Sequence, residues 1–97
     1  MPRPIGFHPA ALAEAVAAAA WYRERSVKAA AAFEAEIAHA MERIAAAPDR
    51  YPPYVDESRR ILLRRFPFAI IYRLNADRIE IVAVAHGRRR PGYWRNR

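Results

Sequence analysis

Residues 86 to 97, HGRRRPGYWRNR, gather a histidine, five arginines and an adjacent tyrosine and tryptophan into one short stretch. A stretch of this kind can be a loose basic arm, part of a folded nucleic-acid surface or a set of catalytic groups, and RNA cleavage is one reaction for which the last can be weighed. Metal-free cleavage of RNA by its own 2′-hydroxyl needs a base for the hydroxyl proton, cations for the charge gathering on phosphorus, and an acid for the departing 5′-oxygen. His86 has the intrinsic pKa of a base near neutrality. Arg88 can grip a phosphate at two points, and Tyr93 can donate a proton or stack on a base. Arg65, or its neighbour Arg64, can add a second cation from the preceding strand.

The same residues also have plainer roles. A lone histidine at a strand end is commonly a hydrogen-bonding residue, and an aromatic pair after Pro91–Gly92 commonly folds back as a packing plug. Without chemistry, Arg60, Arg64, Arg89, Arg90 and Trp94 remain contacts for nucleic acid or for a protein target. On an extended strand Arg60 and Arg64 share one face while Arg59 and Arg65 share the other, so these four do not serve a single site. The last three residues, Arg95 to Arg97, are expected to be disordered.

Charge supports the emphasis on this half. Residues 1 to 57 carry six Lys/Arg against eight Asp/Glu, whereas residues 58 to 97 carry eleven Arg against Asp77 and Glu80. The formal net charge of +7 is therefore the outcome of a mildly acidic first half and a strongly basic second half. All basic residues but Lys28 are arginine, which favours phosphate and carboxylate recognition and equally reflects a GC-rich genome. The 97 residues suffice for one domain, spanning 1–97. The chain has no cysteine, which removes disulfides and thiolate zinc sites. His8, His39 and His86 are too scattered for a metal site, and no cofactor is expected. Glu14 interrupts the Ala-rich run near the N-terminus, and no apolar stretch is long enough to span a bilayer, so a cytoplasmic protein is expected.

The elements that must position these groups change character near residue 50. Of 22 alanines, 18 precede Arg50, a composition rich in helix former and poor in bulk. The segment PIGFHP reads as a short extended piece, after which Pro9 opens a helix whose apolar stripe runs through Leu12, Val16, Ala19 and Ala20, enlarged by Trp21 and Tyr22. Ser26 is the expected N-cap of a second helix that buries Phe33, Ile37, Ala40, Met41 and Ile44 and stops at Pro48. A short join makes the two an antiparallel hairpin. Beyond the proline-rich loop at 48–58, RILLRRF, FAIIYRL and IEIVAVA read as three antiparallel strands, the last two joined by the turn NADR. Strict alternation in the last strand sets Ile79, Ile81, Ala83 and Ala85 against Glu80, Val82, Val84 and His86. Both sets are mostly apolar, so this strand is central. A helical hairpin covers one face of the sheet and leaves the other, toward its ends, to solvent or a partner.

This order of elements, with WYRERS, RIAAAPDRYP, LLRRFPFAIIYR and IVAVAHGRRRPGYWRNR, resembles the RelE/ParE superfamily of type II toxin–antitoxin toxins over nearly the whole chain. The resemblance implies an α+β fold: a short N-terminal strand, an antiparallel helical hairpin, then a three-stranded antiparallel meander packed on the helices. It implies a bacterial toxin neutralised by a cognate antitoxin in a hetero-oligomer, with the ribosome and messenger RNA or DNA gyrase as target. The nuclease branch carries lysines on the strand matching RILLRR and an arginine near the position of Ala69, and this chain has neither. Arg88 does match an arginine at the end of that branch's last strand, and Tyr93 or Trp94 falls near its C-terminal tyrosine. A growth inhibitor acting on translation or on gyrase, a plain non-catalytic nucleic-acid-binding module and an inactive toxin relative all accommodate the basic half. For a toxin, an antitoxin tail rich in Asp and Glu, partly disordered when free, is the expected partner.

Overall fold

The computed structural model describes residues 3–97. Its elements run β1 (Ile5–Phe7), α1 (Pro9–Arg23), α2 (Val27–Ala46), a single 3-10 turn (Val55–Glu57), β2 (Arg59–Leu62), β3 (Phe68–Leu74) and β4 (Ile79–His86). The sheet order is β1-β4-β3-β2. The meander β2–β3–β4 is antiparallel and β1 lies parallel to β4, pairing Ile5 with Ile79 and Phe7 with Ile81. The architecture is α+β, with β4 inside the sheet as its doubly apolar pattern requires.

Local chemistry fixes the helix ends. His8 caps α1, its Nδ1 accepting from the Ala10 N–H at 3.0 Å, and Pro9 occupies the first helical position where its missing N–H costs nothing. Ser26 caps α2, its hydroxyl accepting from Ala29 N–H at 3.1 Å. The buried face of α2 holds Phe33, Ile37, Ala40 and Ile44, with Met41 at its margin. Tyr22, Phe33, Phe66 and Phe68 then form one aromatic cluster, with ring centroids 4.9–5.3 Å apart in its closest pairs. That cluster ties the helical hairpin to the β2–β3 connection.

The α1 stripe differs from expectation. Ala11 and Ala19 are buried, with Ala15, Ala18 and Tyr22 packed beside them, whereas Leu12, Val16 and Trp21 are 49%, 61% and 53% exposed. Alanine on the inner side lets the helix axis approach β4 closely, which a leucine stripe would prevent. With apolar residues around its whole circumference, α1 gives periodicity no inner face to detect.

The alternation of β4 also differs. Ile71 pairs with Ala83 but Tyr72 pairs with Ile81, so the ladder carries a bulge at Val82. The extra residue reverses the phase. Ile79, Ile81 and Val84 face the helices, whereas Val82, Ala83 and Ala85 face the opposite side.

That opposite side is covered from within the chain. Trp94 is 1% exposed and packs with Ile71, Val82 and Ala85, and Tyr54, Val55 and Tyr93 surround it. Arg95 to Arg97 are accordingly part of the fold, contrary to the disorder expected of them: Arg73 donates to the Arg97 and Arg95 backbone oxygens at 2.9 and 3.3 Å. β2 stops at Leu62, so Arg64 and Arg65 lie in the turn beyond it and Arg64 does not continue the face of Arg60. Among the described residues no helix is long and apolar enough to cross a membrane.

Candidate functional site

β1 ends at Phe7 because the chain turns there into α1, the His8 backbone N–H donating to the Ile81 backbone oxygen at 2.8 Å. Past Ile81, β4 therefore has a bare edge on that side, and unpaired edge groups need partners. Glu14 supplies one, its carboxylate accepting from Val84 N–H at 3.0 Å. Arg97 supplies another, donating to the Val82 carbonyl at 3.1 Å. The two side chains also meet each other, with Arg97 donating to both Glu14 oxygens at 2.9 and 3.0 Å, and the Tyr93 hydroxyl donates to Glu14 at 2.7 Å. Burial alone pushes the Glu14 carboxyl up, yet the bonds from Arg97, Tyr93 and Val84 together hold it below its ordinary value. Burial and the Glu14 carboxylate both push the Tyr93 phenol far up, so it stays neutral.

This anchoring fixes the shape of the arginine turn. Gly92 sits at φ 85°, a left-handed conformation that side chains other than glycine's adopt only with strain, so glycine suits that bend. The bend lays Tyr93 and Trp94 against the sheet. Around Trp94 the structure builds a symmetrical array. Tyr54 stacks on the indole at 5.8 Å, and Tyr93 meets it edge-on at 5.4 Å. Arg60 lies over the Tyr54 ring at 4.1 Å, and Arg89 lies over the Tyr93 ring at 3.8 Å. Arginine–aromatic contact of this kind fixes a guanidinium without consuming its hydrogen-bond donors. Together these residues border a cleft of about 390 Å³, with Ala69, Ile71 and Ala85 along it.

The other predicted residues divide between this cleft and elsewhere. His86 stands at the end of β4, its Nδ1 accepting from Arg88 N–H at 3.0 Å and its ring edge-on to Phe68 at 5.1 Å. The Nδ1 lone pair is thus engaged by the backbone. The ring also borders a second cleft of about 560 Å³, walled by Trp21, Tyr22 and Phe68. Arg65 lies apart, its guanidinium 3.1 Å from Glu36 of α2, and the Arg64 N–H donates to the same carboxylate at 2.8 Å. Both border a different cleft, shared with His39 and Arg43. Arg88 and Arg90 are exposed on the turn, and among the described residues neither guanidinium has a carboxylate within 4.0 Å. No group of three or more His, Cys, Asp or Glu among the described residues is placed to hold a metal.

Sequence reading passed over four residues that position these groups. Glu14 registered only as an interruption of the alanine run, although a lone acid in an otherwise uncharged stretch of α1 is itself a signal. Glu36, Tyr54 and Arg73 carried no such mark, because Glu36 meets Arg64 and Arg65, Tyr54 stacks on Trp94, and Arg73 holds the Arg95 and Arg97 backbone, all more than 20 residues away in the chain.

A solved chain described as "Chromosomal ParDE TA system from P. aeruginosa" superposes with a TM-score of 0.70 at 20% identity, covering 87% of this chain and 95% of that one, which is a likeness of fold. No curated protein matches this sequence significantly. The profile of the family described as "ParE toxin of type II toxin-antitoxin system, parDE" matches residues 5–91, from β1 through the arginine turn, and on that match the chain belongs to the ParE toxin family.

Proposed function

We propose that this protein is a growth-inhibiting toxin that acts by binding, without chemistry of its own, and that its target is DNA gyrase. The observation that supports this reading is the employment of the two groups an RNA-cleaving site would use as acid and base. The Tyr93 hydroxyl is spent on Glu14 and the His86 Nδ1 on the Arg88 N–H, while Arg65, the proposed second cation, is held by Glu36 away from both. What the surface offers instead is a fixed turn carrying Arg88, Arg89 and Arg90, beside Arg60. Clustered arginine steers and holds an acidic partner or a DNA-bound enzyme. The absence of the nuclease branch's lysines on β2 points the same way.

The protein is neutralised by a cognate antitoxin, in which an acidic, partly disordered segment meets the basic half of the chain. The test is induced expression without antitoxin, with thymidine and leucine incorporation followed in the same cells. Thymidine incorporation should stop first, and purified protein should inhibit gyrase supercoiling. If leucine incorporation stops first with cleaved messenger RNA, the protein acts on the ribosome and the reading is wrong.

A further inference from the structure

The cleft bordered by Arg60, Tyr54, Trp94, Tyr93 and Arg89 lies on the sheet face away from the helical hairpin. Two guanidinium groups flank it, each stacked on a tyrosine at 4.1 and 3.8 Å, and both tyrosines lean on one indole. That indole is buried, yet its Nε1–H has no acceptor among the described residues. Its resonance is therefore a reporter of whatever enters the cleft that the ring lines. Ala69 and Ala85 are the small residues along that cleft.

We propose that this cleft is a receptor for a carboxylate side chain of an acidic peptide segment. Its flat, two-oxygen head sits between the Arg60 and Arg89 guanidinium groups, on the side of the cleft that Trp94 lines. A carboxylate on a methylene arm has the right build on two counts. Its planar head matches the fork of an arginine at two points. Its apolar flanks suit the Ala69, Ile71 and Ala85 lining. A phosphodiester fits less well, because its tetrahedral head is flanked by sugars on both sides and is matched by an open run of cations. The asymmetry of charge agrees: the half of the chain that builds the cleft carries eleven arginines against two acids. The proposal rests on the reading that this toxin has an acidic protein partner, and it names where on the chain one carboxylate of that partner is received.

The experiment is a titration of the intact, ¹⁵N-labelled protein, followed through the indole N–H resonance of Trp94, with the exposed Trp21 identified by Trp21→Phe. The probes are a blocked octapeptide alternating leucine and glutamate, its leucine–glutamine counterpart, inorganic phosphate, and a short single-stranded DNA. The glutamate peptide should shift the Trp94 resonance saturably, and the glutamine peptide should bind at least tenfold more weakly. Arg60→Ala and Arg89→Ala, checked for fold by circular dichroism, should each weaken binding about tenfold or more, whereas Arg43→Ala on α2 should not. An unmoved Trp94 resonance, an equal response to both peptides, or tighter binding of the DNA or of phosphate than of the glutamate peptide would overturn the proposal. Growth inhibition is scored separately, so a failure here leaves the toxin reading intact, and a non-toxic chain that still binds the peptide fails only that reading.

Discussion

Glu14 and Arg97 stand 83 residues apart in the chain and meet in a two-point ion pair at 2.9 and 3.0 Å, joining the first helix to the last residue over the bare edge of β4. Both side chains are largely withdrawn from water. The pair explains why the C-terminal segment has a definite shape and why Arg88, Arg89 and Arg90 are presented at a fixed place.

Removing the carboxylate should therefore be costly. Glu14→Ala leaves the Arg97 guanidinium, the Tyr93 hydroxyl and the Val84 N–H without their common acceptor. We expect a loss of about 2–4 kcal/mol in urea unfolding, and about 1–2 kcal/mol for Arg97→Ala, which spares the other two bonds. Their double mutant should lose less than the sum of the two, because the shared bond is counted once.

The same carboxylate sets an acid limb. Burial raises the Glu14 pKa, but its bonds to Arg97, Tyr93 and Val84 outweigh that and lower it; in Glu36 burial is likewise outweighed by Arg64 N–H and Arg65. A folded pKa below the ordinary 4.5 means that the stability is present above that value and is lost as pH falls through the lowered one. Urea midpoints measured from about pH 6 to about pH 3 should fall steeply at the acid end, and Glu14→Gln should flatten that fall.

Much of the fold was legible because local signals coincide with it: Pro9 and Ser26 mark helix starts, Pro48 follows the end of α2, and Phe33, Ile37, Ala40 and Ile44 mark its inner face. Two features were not. The bulge at Val82 has no residue signature in a strand apolar on both faces, so the phase change of Val84, Ala83 and Ala85 appears only in the pairing with β3. The inner face of α1 is alanine, which carries too little hydrophobic contrast with Leu12 and Val16 to show which side is in. The arginine-rich stretch HGRRRPGYW was placed at the end of the last strand, where β4 does leave it, but its contacts were not legible. The engagement of Tyr93 by Glu14 joins positions 79 apart, and no spacing rule reaches that far.

The geometry of α1 makes an inverted prediction about its apolar residues. Leu12→Gln and Val16→Gln, at exposed positions, should change stability by no more than about 0.5 kcal/mol. Ala19→Leu, which adds volume where the helix meets β4, should cost about 1–3 kcal/mol through overpacking. Urea unfolding of the three variants decides between this arrangement and the leucine stripe, for which the order of effects would be reversed.

The division between His86 and the arginine turn separates binding from catalysis. Loss of a general base costs about 10²–10⁴ in rate, so an RNA-cleaving toxin carrying His86→Gln should no longer arrest growth. If the imidazole only receives the Arg88 N–H, the glutamine side-chain oxygen can accept that hydrogen bond, and colony counts after induction should stay within a few-fold of the parent. The triple change Arg88→Ala, Arg89→Ala, Arg90→Ala leaves the Glu14–Arg97 pair and the Tyr93 hydroxyl bond in place. It removes three charges from the turn and should restore growth by slowing capture of the target, an effect that salt should mimic in the purified supercoiling assay. Growth restored by His86→Gln but not by the triple change would return the protein to the nucleases, because a binding toxin depends on its charged surface and a cleaving one on its proton acceptor.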